Sequence, residues 1–73
     1  MYIYKNMAEI RKKRGLTQGE IAEVLGVTRQ QYQLYESGTR EIKLHLMIVL
    51  ADYYGVTLDY LADRNEKVQE AAR

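Results

Sequence analysis

Seventy-three residues, 47% of them hydrophobic and none of them proline, make one small helix-permissive domain with a modest core, for which a partner subunit is a reasonable expectation. The absence of cysteine excludes disulfide staples and Cys-based zinc sites, and the longest apolar run, Leu46 to Ala51, falls far short of the roughly 20 residues a bilayer requires. Net charge is only +1 but unevenly spread: residues 1–43 carry eight Lys/Arg against five Asp/Glu and residues 44–73 three against five, so a polyanion is expected on the N-terminal half.

The spacing of Ile3, Met7, Ile10 and Arg14 predicts a first helix from Tyr2 to Arg14, stopped by Gly15. The run Arg11-Lys12-Lys13-Arg14 looks like a nucleic-acid patch, but on a helix its members point in four directions. Arg11 lies at the edge of the apolar stripe, where a partly buried guanidinium needs a carboxylate, and it is read as half of a structural ion pair. Lys12, Lys13 and Arg14 are read as a solvated face.

From Leu16 to Arg40 the chain predicts two short helices joined by a glycine turn, each opened by the same start signal. Thr17 with Glu20, and eleven residues later Thr28 with Gln31, form capping boxes, flanked by the staple pairs Leu16/Ile21 and Val27/Tyr32. Gly26 supplies the left-handed residue that ends the first of them. A connection this short forces a steep crossing, the geometry of a helix-turn-helix unit with its second helix presented outward. In the first helix of the pair Ile21, Ala22, Val24 and Leu25 face inward, and Gln18 sits in the first turn, where unpaired backbone N–H groups favour a phosphate. The second, from Arg29 to about Ser37, buries Tyr32 and Tyr35 and turns Arg29, Gln30, Gln31 and Gln33 outward. Those side chains match major-groove edges, arginine with guanine and glutamine with adenine. Ser37, Thr39, Arg40 and Lys43 lie where a DNA strand would pass.

Leu44 to Tyr54 predicts a fourth helix that is apolar on nearly every side, with Leu44, Met47, Leu50, Ala51 and Tyr54 in one stripe and Leu46, Ile48, Val49 and Tyr53 off it. Either the first helix or a second subunit must cover the surplus. Gly55 closes this helix, and Val56-Thr57 repeats the staple and cap, with Tyr60 in place of the Glu or Gln of a box. Residues 64–73 are expected to be a helical extension or a frayed tail beyond a domain spanning 1–63. His45 is the sole histidine and is read as structural or solvent-facing. With no Cys, no His pair, no strand pattern and no glycine-rich phosphate loop, no catalytic, metal or cofactor site is expected.

The chain closely resembles the phage-repressor and Cro-like helix-turn-helix family. The resemblance rests on Gly15-Leu16-Thr17-Gln18, Ile21-Ala22, Leu25-Gly26-Val27-Thr28-Arg29-Gln30, Tyr35-Glu36-Ser37-Gly38-Thr39-Arg40, and Leu50-Ala51 through Tyr54-Gly55-Val56-Thr57-Leu58-Asp59-Tyr60-Leu61. It implies an all-α, compact five-helix domain in the cytoplasm that binds double-stranded operator DNA, usually as a symmetric dimer on a palindrome, here through helices four and five. It also implies a phosphate contact for Gln18, groove-facing Thr28 to Gln31 with Gln30 at the position that commonly reads a base, and an Arg11–Glu36 pair. Three positions depart from the family pattern: Gly19, Leu34 at an often polar outward position, and Ile42 where proline is common. A second functional reading is a helical protein-interaction module that keeps the fold without specific DNA binding, favoured by the low net charge and the apolar fourth helix.

Overall fold

The structure, a computed structural model, describes residues 3–62. Among them are five helices and no strand: α1 Lys5–Lys13, α2 Gln18–Leu25, α3 Arg29–Ser37, α4 Leu44–Tyr54 and α5 Leu58–Leu61. The tail expected at 64–73 lies outside the described residues.

The start signals act as their chemistry requires. Thr17 Oγ1 accepts from the Glu20 N–H at 3.1 Å while Glu20 Oε1 accepts from the Thr17 N–H at 2.8 Å, and Thr28 and Gln31 repeat the exchange at 3.1 and 3.2 Å. At α5 Thr57 Oγ1 accepts from the Tyr60 N–H, and the return bond is missing because a tyrosine has no acceptor that reaches back. Each cap satisfies an N–H that a helix start leaves open, for about 1 kcal/mol. The residues ahead of the caps, Leu16, Val27 and Val56, are half-buried against the core. Gly26 is left-handed, at φ 73°, and the Val27 N–H bonds back to the Ala22 carbonyl, so the chain leaves α2 and enters α3 within three residues.

One core joins all five helices. Met7 and Ile10 of α1, Ile21 of α2, Tyr32 and Tyr35 of α3, Leu50 and Tyr54 of α4 and Leu61 of α5 are all buried, and α2 packs most extensively on α3. Ile42, between α3 and α4, is also buried and pins that loop. Asn6 Nδ2 donates to the Tyr60 carbonyl at 2.8 Å, tying α1 to α5.

Four details differ from the sequence expectation. Helix α1 begins at Lys5, not Tyr2: Tyr4 is extended, and Ile3 lies against Gly38 at the end of α3. On α4, Leu46 is buried and Leu44 is 67% exposed, the reverse of the expected stripe, because Leu46 lies one turn before the buried Leu50 and Leu44 one turn before the exposed Ile48. Val24 is half-buried and is not among the side chains packed on the core. Finally, Arg14 is no free surface cation. Its Nη2 donates to the Tyr54 carbonyl at 2.9 Å and its guanidinium lies 5.6 Å from the Tyr54 ring centroid, where it satisfies an end-of-helix carbonyl and complements the α4 dipole. His45 is exposed.

Candidate nucleic-acid interface

Helix α3 is held from behind by a polar cluster centred on Glu36. Arg11 grips this carboxylate with two donors, Nε to Oε2 at 2.6 Å and Nη2 to Oε1 at 3.2 Å, and its third donor, Nη1, reaches the Leu16 carbonyl at 2.8 Å. Tyr32 Oη donates to Oε2 at 2.6 Å and Gln18 Nε2 to Oε1 at 3.0 Å. The Arg11 and Glu36 side chains are only 11% and 7% exposed, so the pair is largely withdrawn from water. Burial pushes the Glu36 carboxyl upward, but hydrogen bonds from Arg11, Tyr32 and Gln18 with the Arg11 charge outweigh it and hold the group below the usual carboxylate range. The same hydrogen bond, opposed by desolvation, raises Arg11 further. Burial first, then the bond to Glu36, raises the Tyr32 hydroxyl well above its ordinary value. One carboxylate thus locks α1, α2 and α3 together.

That lock leaves the opposite face of α3 clear. Arg29, Gln30, Gln31 and Gln33 are exposed, and among the described residues no hydrogen bond or ion pair engages the side chains of Arg29, Gln30 or Gln33. The others expected at the interface are partly occupied. Gln31 Oε1 and Thr28 Oγ1 are acceptors in the cap, which leaves the Gln31 amide N–H groups and the Thr28 hydroxyl proton to donate. Ser37 Oγ lies 2.9 Å from Thr39 Oγ1 and 3.2 Å from the Leu34 carbonyl, so the two hydroxyls stand together at the end of α3. Arg40 is exposed beside them, its backbone N–H on the Leu34 carbonyl. Gln18 has one amide proton on Glu36 and a second still available at the start of α2.

Two features of the site depend on contacts that the sequence does not spell out. The aliphatic stem of Arg29 runs beside Gly19: a Cβ built on that glycine would stand 3.8 Å from Arg29 Cδ, in ordinary contact, so this position of α2 borders the arginine on α3. Tyr32 and Gln18 as further donors to Glu36 are the second. The four-residue spacing of Tyr32 and Glu36, which stacks them on one helix face, was the available signal.

A five-helix domain with a tight α2–α3 turn, and an unengaged amide and guanidinium face on the second of those helices, defines the helix-turn-helix class of nucleic-acid-binding folds. The helix-turn-helix family model matches residues 7–61, and the chain belongs to that family, in its phage-repressor, Cro-like branch. It is 41% identical over 66 residues to the uncharacterized HTH-type transcriptional regulator YqaE of Bacillus subtilis (88% of this chain, 57% of that one), and 38% identical over 58 residues to the cryptic phage CTXphi transcriptional repressor RstR of Vibrio cholerae (80% and 52%). A transcriptional regulator from Listeria innocua, known from its crystal structure, shares the fold with a TM-score of 0.80 at 24% identity, over 94% of this chain and 70% of that one. The chain spans little more than half the length of the curated relatives it matches.

Proposed function

We propose that the chain is the DNA-binding domain of a sequence-specific transcriptional regulator, which represses by occupying its operator. The observation that carries this is the outward face of α3: Arg29, Gln30 and Gln33 stand exposed on a helix that the Glu36 cluster fixes from behind. Major-groove readout requires such a face, since an arginine or amide side chain identifies a base only if its backbone is held still. Thr28 and Gln31 face the groove beside it, and Gln18, Ser37, Thr39 and Arg40 flank it and contact phosphates, setting the register of the domain on the duplex. The relatives named as transcriptional regulators, one of them a phage repressor, support the same reading.

The domain acts as a homodimer through α4 and α5. Leu44, Ile48, Val49, Tyr53 and Leu58 are between 36% and 67% exposed, and the pairs Leu44/Ile48 and Val49/Tyr53 stack one turn apart on α4. A two-fold axis there sets two copies of α3 about one DNA turn apart, roughly 34 Å, on a palindromic site.

Selection of bound duplexes from a random pool is the direct test. The expected product is a single consensus with inverted symmetry. Recovery of unrelated sequences would leave the fold as a protein-interaction module instead.

A further inference from the structure

One side chain on the reading face of α3 is out of character. At about 100° per residue, Leu34 follows Gln30 by one turn and lies within roughly 40° of it, with Ser37 one turn further on, while the buried Tyr32 and Tyr35 occupy the opposite side. Leu34 is half-buried, yet it is not among the partly buried apolar side chains packed on the core, which are Tyr4, Leu16, Val27, Val56, Tyr60 and Ala62. It therefore has neither of the usual reasons for a leucine on a short surface helix. Its carbonyl is fixed, accepting from the Thr39 and Arg40 N–H groups and from Ser37 Oγ, so the residue sits at a rigid point beside the Ser37–Arg40 turn.

We infer that Leu34 is a specificity residue that recognises the 5-methyl group of a thymine, next to the base read by Gln30. The inference rests on the base-reading role proposed for α3. A branched apolar side chain offers no hydrogen bond to a base edge, and thymine is the one standard base that presents an apolar group in the major groove. The contact complements the amides beside it: Gln30 and Gln33 select by donors and acceptors, and Leu34 selects by shape and desolvation.

The test uses the consensus duplex with each thymine replaced singly by deoxyuridine, which removes the methyl and leaves every hydrogen-bonding edge intact. With the wild-type chain, one thymine position should weaken binding about fourfold on replacement, the fold-change that follows from roughly 0.8 kcal/mol per buried methyl-sized group. With Leu34→Ala and Leu34→Gln, thymine and deoxyuridine should bind equally at that position, whereas other positions behave as in the wild type. A consensus site with no methyl-sensitive thymine overturns the inference while leaving base reading by α3 intact. So does a sensitivity that persists in both variants. Failure to obtain any consensus overturns both. The deoxyuridine scan of the wild-type chain needs no variant to fold.

Discussion

Glu36 receives hydrogen bonds from three side chains on three helices, and a buried carboxylate supplied so well is costly to leave alone. Arg11→Ala removes two of its donors and the only compensating cation among its hydrogen-bond partners, so a loss of about 3 kcal/mol is expected. For a domain of this size that corresponds to a fall in melting temperature of more than about 10 °C. A melt unchanged from wild type would show that the pair contributes nothing. The pH response follows from the lowered Glu36 carboxyl. A group whose folded pKa lies below its unfolded value adds stability that is fully present above the unfolded pKa, about 4.3, and disappears as pH falls through the folded one. Melting temperatures measured down through this range should drop more steeply for wild type than for Glu36→Gln, which carries no titrating group there. At Tyr54 the sign reverses. Its hydroxyl is buried without a hydrogen-bond partner among the described residues, and burial with the nearby Glu36 charge pushes it up to about 12. Tyr54→Phe should therefore match or exceed wild-type stability in the same melts.

At the scale of elements, two glycines that look alike in the sequence are not equivalent. Both Gly26 and Gly38 close a helix with positive φ, 73° and 83°. A Cβ on Gly26 meets nothing within 4 Å, so Gly26→Ala should cost only the left-handed penalty, about 1–2 kcal/mol. A Cβ on Gly38 would overlap the Ile3 side chain and press on its backbone, so Gly38→Ala should cost clearly more, and Ile3→Ala should recover part of the excess. Equal melting temperatures for the two glycine variants would contradict the packing of the segment before α1 on the end of α3. This contrast also marks what was legible in the chain. Thr17, Thr28 and Thr57, with the glycine before or after them, carry local signals, because caps and left-handed turns are decided by residues within a few positions. They mark the starts of α2, α3 and α5 and the ends of α2, α3 and α4. The start of α1 was not local: Ile3 fits the helical spacing but is held by Gly38, thirty-five positions away. Likewise Arg14 reads as one more surface cation until Tyr54 is brought under it by the fold, and Leu44 and Leu46 exchange roles only once the packing of α4 on α2 and α5 is known. At the candidate interface the outward face of α3 was legible because Tyr32 and Tyr35 fix its rotation. The Thr28–Gln31 cap was legible too, but the hydrogen bonds that occupy Gln18 and Ser37 were not, since each depends on which partner a flexible side chain meets.

On the scale of the whole molecule, the charge division matches the division of surfaces. The positively charged half carries α2, α3 and the Ser37–Arg40 turn, and the acidic half carries the exposed apolar residues of α4 and α5. A single charge in that apolar face should separate dimerisation from folding. Val49→Glu is expected to sediment as a monomer with a nearly unchanged melting temperature, and to bind operator DNA more weakly because the second half-site is lost. A dimer that persists would place the two-fold axis elsewhere. A net charge of +1 limits non-specific attraction, so on the reading proposed for α3 the base contacts should carry a larger share of the affinity.

That share is directly measurable by fluorescence anisotropy at fixed salt, comparing the consensus duplex with a scrambled one for the wild-type chain, Arg29→Ala and Gln30→Ala. Each lost base contact should reduce affinity for the consensus by about 5- to 150-fold, corresponding to 1–3 kcal/mol, and leave affinity for the scrambled duplex nearly unchanged for Gln30→Ala. Variants that bind the consensus as tightly as the wild type would contradict the assignment of α3 as the reading helix.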